Sequence, residues 1–184
     1  LEQVVAIKEY LPSEFATRVP GEETITIYSG EKENQFAIGK DKFADEAKRL
    51  AQFNAVEGVV EIKDTFLDND TAYIVMEFLE GETLKEKITR EGKLPPEETL
   101  PIIKSVLKTL QEVHKGDIIH RDIAPDNIFL CSDGQVKLLD FGASRYATVQ
   151  HSKSLSVILK EGYAPEEQYR SKGIQGPWSD VYAV

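Results

Sequence analysis

Ile119-His120-Arg121-Asp122-Ile123-Ala124-Pro125-Asp126-Asn127-Ile128-Phe129-Leu130 leads from a polar loop into a short apolar strand, and Asp140-Phe141-Gly142 closes a second one. The two strands, Asn127 to Leu130 and Gln135 to Leu139, flank the turn signal Ser132-Asp133-Gly134. Taken singly, Asp122, Asn127 and Asp140 read as turn residues, a common use of Asp and Asn. Asn127 stands five positions after Asp122, and Asp140 thirteen after Asn127, intervals that by themselves do not set them apart from other turn residues.

Upstream, Leu100, Ile103, Val106, Leu107, Leu110 and Val113 recur at helical spacing, and the pattern stops at Lys115-Gly116. Earlier still, Val59 to Phe66 and Thr71 to Phe78 read as two strands joined by Asp68-Asn69-Asp70. Asp41 can cap a helix bearing Phe43, Ala47 and Leu50 on one face. Thr24 to Tyr28 alternates like a half-buried strand, and Val4-Val5-Ala6-Ile7-Lys8 is a β-branched run ended by Pro12 and Ser13. The first half of the chain is therefore a small sheet with one helix, and the second half is mainly helical.

The 184 residues suit one domain, or one domain and part of another. The composition, 41% hydrophobic and 29% charged, is that of an ordinary soluble protein. No run of about 18 apolar residues predicts a membrane span, and no leader pattern precedes the first strand. The lone Cys131 cannot form an internal disulfide and fits a reducing compartment, so a cytoplasmic protein, or the cytoplasmic part of a membrane-anchored one, is expected. A net charge of −10 disfavours nucleic acid as a partner. It does not disfavour a phosphate ligand, which a few local cations, metal ions and backbone N–H groups can hold.

Four fragments occur in order: Val5-Ala6-Ile7-Lys8, His120-Arg121-Asp122 with Asn127, Asp140-Phe141-Gly142, and Ala164-Pro165-Glu166. Together they resemble the signatures of the eukaryotic-like protein kinase catalytic domain. Ala6 to Pro12, Gly162 to Tyr169 and Gln175 to Ala183 are similar to the bacterial serine/threonine kinase branch. The resemblance implies an α+β, bilobal kinase fold, partial at both ends. Residues 1–78 would form a small antiparallel-sheet lobe with one regulatory helix. Residues 79–184 would form the first part of a mainly helical lobe.

The implied activity is transfer of the γ-phosphate of Mg·ATP to Ser or Thr hydroxyls of protein substrates, a reaction that asks for positioning and charge neutralisation more than covalent work. By resemblance, Lys8 contacts the α and β phosphates and Glu46 is its carboxylate partner. Asp122 orients the substrate hydroxyl and accepts its proton. Asn127 and Asp140 ligate Mg²⁺, a hard cation that prefers oxygen. Ala6 and Phe129 sandwich adenine, Met76 stands behind it, and the backbone of Glu77 and Leu79 bonds its edge. His120 and Phe141 are packing residues, in a column with Leu50 and Ile62. The resemblance makes Arg121 either the receiver of an activation-segment phosphate or a structural hydrogen-bonder, and one of Thr148, Ser152, Ser154 and Ser156 an acceptor site.

The chain departs from the pattern in three places. The Gly-rich loop expected before Lys8 is not in the sequence, and the chain stops soon after Asp180, so this stretch alone is expected to be a poor catalyst. Ala124 replaces the lysine usual two residues after the catalytic aspartate, and Lys160 is a candidate substitute for its charge. Lys8 and Glu46 lie 38 positions apart, which is long for the family and reads as a surface insertion or a hairpin beside the helix. Two other readings remain open: a scaffold that binds partners or nucleotide without transfer, suggested by Ala124, and a small-molecule phosphotransferase, which Arg121 and Ala164-Pro165-Glu166 oppose.

Overall fold

The computed structural model describes residues 3–141, 162–170 and 173–184. The chain divides into two compact units, which among these residues comprise 3–52 with 61–78, and 53–60 with 79–141, 162–170 and 173–184.

In the first unit the β-branched run forms β1 (Val5–Glu9). Ala16–Thr17 (β2) and Thr26–Ile27 (β3) make a two-residue antiparallel ladder. Ile62–Asp68 (β4) and Thr71–Glu77 (β5) complete an antiparallel sheet of order β1-β5-β4. Asn69 and Asp70 join β4 to β5 with φ of 50° and 64°. Positive φ at both central residues gives the turn the twist that matches its strands, and Asn and Asp tolerate it best after glycine. The expected strand from Val59 is thus displaced: β4 begins at Ile62, and Val59 instead bridges Leu138 in the second unit.

Helix α1 spans Glu31–Leu50, ten residues more than the expected start at Asp41. Its entry residue is Gly30 and carries no side-chain cap. Phe36, Phe43 and Leu50 lie seven apart and are all buried, with Gly39 and Ala47 on the same face. This stripe packs on the sheet through Tyr10, Ala72 and Ile74. Phe15, Ala16 and Ile25, from the segment between β1 and α1, belong to the same core. That segment is therefore a hairpin built into the core beside the helix. Each fully buried Phe contributes about 1.5–3 kcal/mol of transfer free energy.

In the second unit, Gly81–Thr83 (β6), Ile128–Cys131 (β7) and Val136–Leu138 (β8) form a sheet of order β6-β7-β8. Helix α2 (Leu84–Glu91) opens with a capping box: Glu86 N donates to Thr83 Oγ1 at 3.1 Å, and the Glu86 carboxylate accepts from Thr83 N at 2.7 Å. The bond from Thr83 N, with a second to the same carboxylate from Thr83 Oγ1 at 2.8 Å, lowers the pKa of the Glu86 carboxyl. Helix α3 (Pro96–His114) buries Ile102, Val106, Thr109, Leu110 and Val113. Its buried stripe differs from the expected one, because Leu100 and Leu107 are exposed. Two short helices follow, α4 (Glu166–Tyr169) and α5 (Pro177–Ala183). Among the described residues no helix is long and apolar enough to cross a membrane.

Candidate active site

The first unit carries Ala6, Lys8, Glu46, Met76 and Glu77 of the residues assigned to nucleotide, and the second carries Leu79 and Phe129. Lys8 sits on β1 opposite Ile74, and Ala6 opposite Met76. Side chains alternate along a strand, so Ala6 and Lys8 share a face. The other face carries Ile7, which is exposed, and Glu9. Met76 packs against the apolar core. Glu46 is half-buried on α1, three residues after Phe43 and beside the buried Ala47. The Glu77 carboxylate accepts from Glu61 N at 2.8 Å, and Glu77 N donates to Glu61 O at 3.0 Å. These two bonds fix the strand end where the chain passes through the exposed Phe78 to Leu79.

The second unit carries the loop to which the resemblance assigns catalysis. Asn127 Nδ2 donates to the Asp122 backbone oxygen at 2.7 Å and to its carboxylate Oδ2 at 2.8 Å. Asn127 is buried and ends a single 3₁₀ turn that starts at Pro125, whose fixed φ suits that position. With Nδ2 committed twice, the amide oxygen Oδ1 is the atom available as a ligand. Asp140 is exposed, with a backbone φ of 52°. Phe129 lies one residue into β7, opposite Thr83 and Lys137.

His120 and Phe141 pack with ring centroids 4.5 Å apart. His120 is fully buried, and Nε2–H donates to the Leu139 carbonyl at 2.8 Å while Nδ1 accepts from Asp122 N at 3.3 Å. The ring thus ties the catalytic loop to the strand leading to Asp140. Burial pushes its pKa down, against the upward pull of Asp180, Leu139 O, Asp122 and Asp140, so the neutral imidazole is favoured.

Asp180 on α5 is the organising group that reading the chemistry along the chain did not bring out. It is 1% exposed. Its Oδ1 accepts from Arg121 N at 2.7 Å, and its Oδ2 accepts from His120 N and His114 Nε2, both at 2.8 Å. Arg121 has φ of 66°, an unfavourable conformation for a long side chain that these bonds hold in place. Gln168 on α4 adds a bond from Nε2 to Arg121 O at 3.1 Å. In the sequence Asp180 lies within the Gln175 to Ala183 stretch that carries the kinase resemblance, 58 positions from Asp122, but nothing local assigns it these three donors.

Ala124 is 1% exposed, so the position that usually carries a lysine offers a buried methyl and no charge. Glu166 pairs with Arg170, and both are exposed. Thr148, Ser152, Ser154, Ser156, Leu159 and Lys160 lie outside the described residues. A cleft of about 580 Å³ in the second unit, lined by Glu57, Lys108, Glu112 and Asp133 among others, includes none of the motif residues.

A family profile described as "Protein kinase domain" matches residues 19–184. The chain belongs to the protein kinase family. Within it, the chain is 37% identical over 144 residues to serine/threonine-protein kinase PknL of Mycobacterium tuberculosis, covering 78% of this chain and 36% of that protein. It is 40% identical over 129 residues to serine/threonine-protein kinase PrkC of Bacillus subtilis, covering 68% and 19%. The chain therefore spans about a third or less of these kinases' length. The solved structure described as "PpkA-294 apo form" matches 99% of this chain and 63% of its own, with TM-score 0.86 and 32% identity. Rad53 residues 1–466 in complex with AMP-PNP matches 56% of this chain, with TM-score 0.52 and 30% identity. The fold is thus α+β and a partial protein kinase fold. Lys8 precedes the profile match but lies within the span of the PpkA likeness.

Proposed function

We propose that this chain is the phosphoryl-transfer core of a Mg·ATP-dependent serine/threonine protein kinase acting on protein substrates. The observation that carries the reading is the double bond-making of Asn127 Nδ2 to Asp122, with Asp180 holding the backbone just before it. This arrangement keeps one carboxylate in a set direction and leaves one amide oxygen for a cation.

The donor set suits Mg²⁺. Among the described residues no three His, Cys, Asp or Glu side chains gather into a self-sufficient metal site. Mg²⁺ commonly takes one or two protein oxygens and completes its octahedron with phosphate and water. Asp140 and Asn127 Oδ1 would be those protein ligands. When bound, the metal neutralises phosphate charge. Lys8 would bind the α and β phosphates, with Glu46 as its counter-charge. Ala6, Met76, Phe129 and the backbone of Glu77 and Leu79 would bind adenine; the nucleotide analogue held by Rad53 supports ATP as the ligand. Asp122 would orient the acceptor hydroxyl and take its proton as that oxygen bonds to the γ-phosphorus and the bond from the γ-phosphorus to the β,γ-bridging oxygen breaks, releasing ADP.

The serine/threonine preference rests on PknL and PrkC. A cytoplasmic site of action is the reading that fits the single cysteine.

The test uses the full-length protein, with labelled γ-phosphate and Asp122→Asn beside the wild type. Label on Ser or Thr, reduced about 10²-fold or more in the variant, is expected. A folded wild type that binds Mg·ATP and transfers no label would instead favour a scaffold role, the reading that the uncharged Ala124 supports.

A further inference from the structure

We propose that Tyr10 is a positioning residue for nucleotide binding, its ring setting strand β1, with Lys8, against helix α1, with Glu46. The inference rests on the kinase reading above for the roles of Lys8 and Glu46, and on the first unit's geometry for everything else.

Tyr10 lies two residues after Lys8, and the ladder continues to it: Tyr10 N donates to Ala72 O at 2.9 Å, and Thr71 Oγ1 donates to Tyr10 O at 2.5 Å. Alternation therefore puts the Tyr10 ring on the face that carries Lys8 and Ala6. That ring meets Phe36 at 5.1 Å and Phe43 at 5.5 Å between centroids, both tilted. Phe43 is one helical turn before Glu46. Two contacts spaced two turns apart on one helix restrain both its rotation about its own axis and its slide along β1. A single contact would restrain neither fully.

Among the described residues the Tyr10 hydroxyl finds no hydrogen-bond partner, although it is buried. Burial pushes it up to about 12. The position thus uses the ring and gains nothing from the oxygen. The hairpin between β1 and α1 seats Phe15, Ala16 and Ile25 in the same core as the ring. Arg18 grips the neighbouring Glu9 with two bonds, at 2.5 and 3.2 Å, and also donates to the Tyr73 hydroxyl at 3.2 Å. The long connection between Lys8 and Glu46 is in this account the buttress of their alignment.

The experiment compares Tyr10→Phe, Tyr10→Leu and Tyr10→Ala in the full-length protein, with Val106→Ala as a core control from the second unit. Three quantities are read: affinity for a fluorescent ATP analogue with Mg²⁺, kcat and KM for ATP, and hydrogen exchange along residues 31–50. Tyr10→Phe should keep analogue affinity within about twofold. Tyr10→Leu, which keeps apolar bulk and loses the flat ring, should fold, exchange faster in α1 and lose about 10- to 100-fold in kcat/KM with a raised KM. Val106→Ala should lower stability with KM for ATP unchanged. A folded Tyr10→Leu with wild-type affinity and KM overturns the proposal, as does Tyr10→Phe behaving like Tyr10→Leu. If the wild type binds the analogue but transfers no phosphate, the kinase reading fails while analogue affinity and exchange still decide the role of Tyr10.

Discussion

His120 shows how one buried side chain couples the catalytic loop to pH. Its folded pKa is depressed by burial, below an unfolded value of about 6.5. Below that value the unfolded chain binds more protons than the native one. The stability His120 gives by staying neutral is therefore complete above about pH 6.5 and is lost as pH falls toward the folded value, at up to about 1.4 kcal/mol per pH unit. Urea midpoints measured at pH 7.5 and 5.5 should fall with acid in the wild type, and fall less in His120→Asn. Equal slopes in the two proteins would remove His120 as the cause. At this scale the sequence is most informative about chemistry: the motifs that carry the kinase resemblance single out Asp122, Asn127 and Asp140, and the structure sets Asn127 Nδ2 2.8 Å from Asp122 Oδ2. It was least informative about support. Nothing local to Arg121 or His120 says that their backbone donors need a carboxylate from a distant helix.

Between elements, Asp180 is the link that joins α5 and α3 to the catalytic loop, through Arg121 N, His120 N and His114 Nε2. Asp180→Asn keeps the shape but leaves only one oxygen for three donors and sets an NH₂ group against N–H. At least one buried donor is then unsatisfied, a cost of about 1–3 kcal/mol, and loss of the charge adds to it. Calorimetry should show a lower Tm, and Arg121, released from its φ of 66°, should let Asp122 drift, with phosphate transfer falling more than nucleotide affinity. Unchanged transfer in a folded Asp180→Asn would show that the loop holds itself. Helix α1 marks the limit of legibility here. Phe36, Phe43 and Leu50 repeat at seven residues, but Gly30 offers no capping side chain and Asp41 looks like one. Start signals are local and weak, whereas the face that packs is decided by Tyr10 and the sheet. For the same reason α3 turned its Ile102–Val113 stripe inward and left Leu100 and Leu107 outside: residues at ambiguous edges of an apolar face are sorted by what they pack against.

On the scale of the whole chain, two opposing surface properties decide how it behaves in solution. Ile174, Trp178 and Tyr182 are 80%, 57% and 68% exposed, with Val181 and Tyr169 also outside. Lone exposed apolar residues are ordinary, but five within fourteen positions form a dense apolar stretch that favours association. Against it stands a net charge of −10, which keeps copies apart at low ionic strength. The Debye length falls from about 30 Å at 0.01 M salt to about 10 Å at 0.1 M, so added salt removes the repulsion and leaves the apolar attraction intact. Sedimentation velocity of the 184-residue chain by itself should therefore show a monomer at low salt and growing oligomers at a few tenths molar. Trp178→Gln with Tyr182→Gln, both surface changes, should restore the monomer. A wild-type chain that stays monomeric across that salt range would mean these side chains are covered by contacts of its own, and that its weak activity, if found, has another cause than self-association.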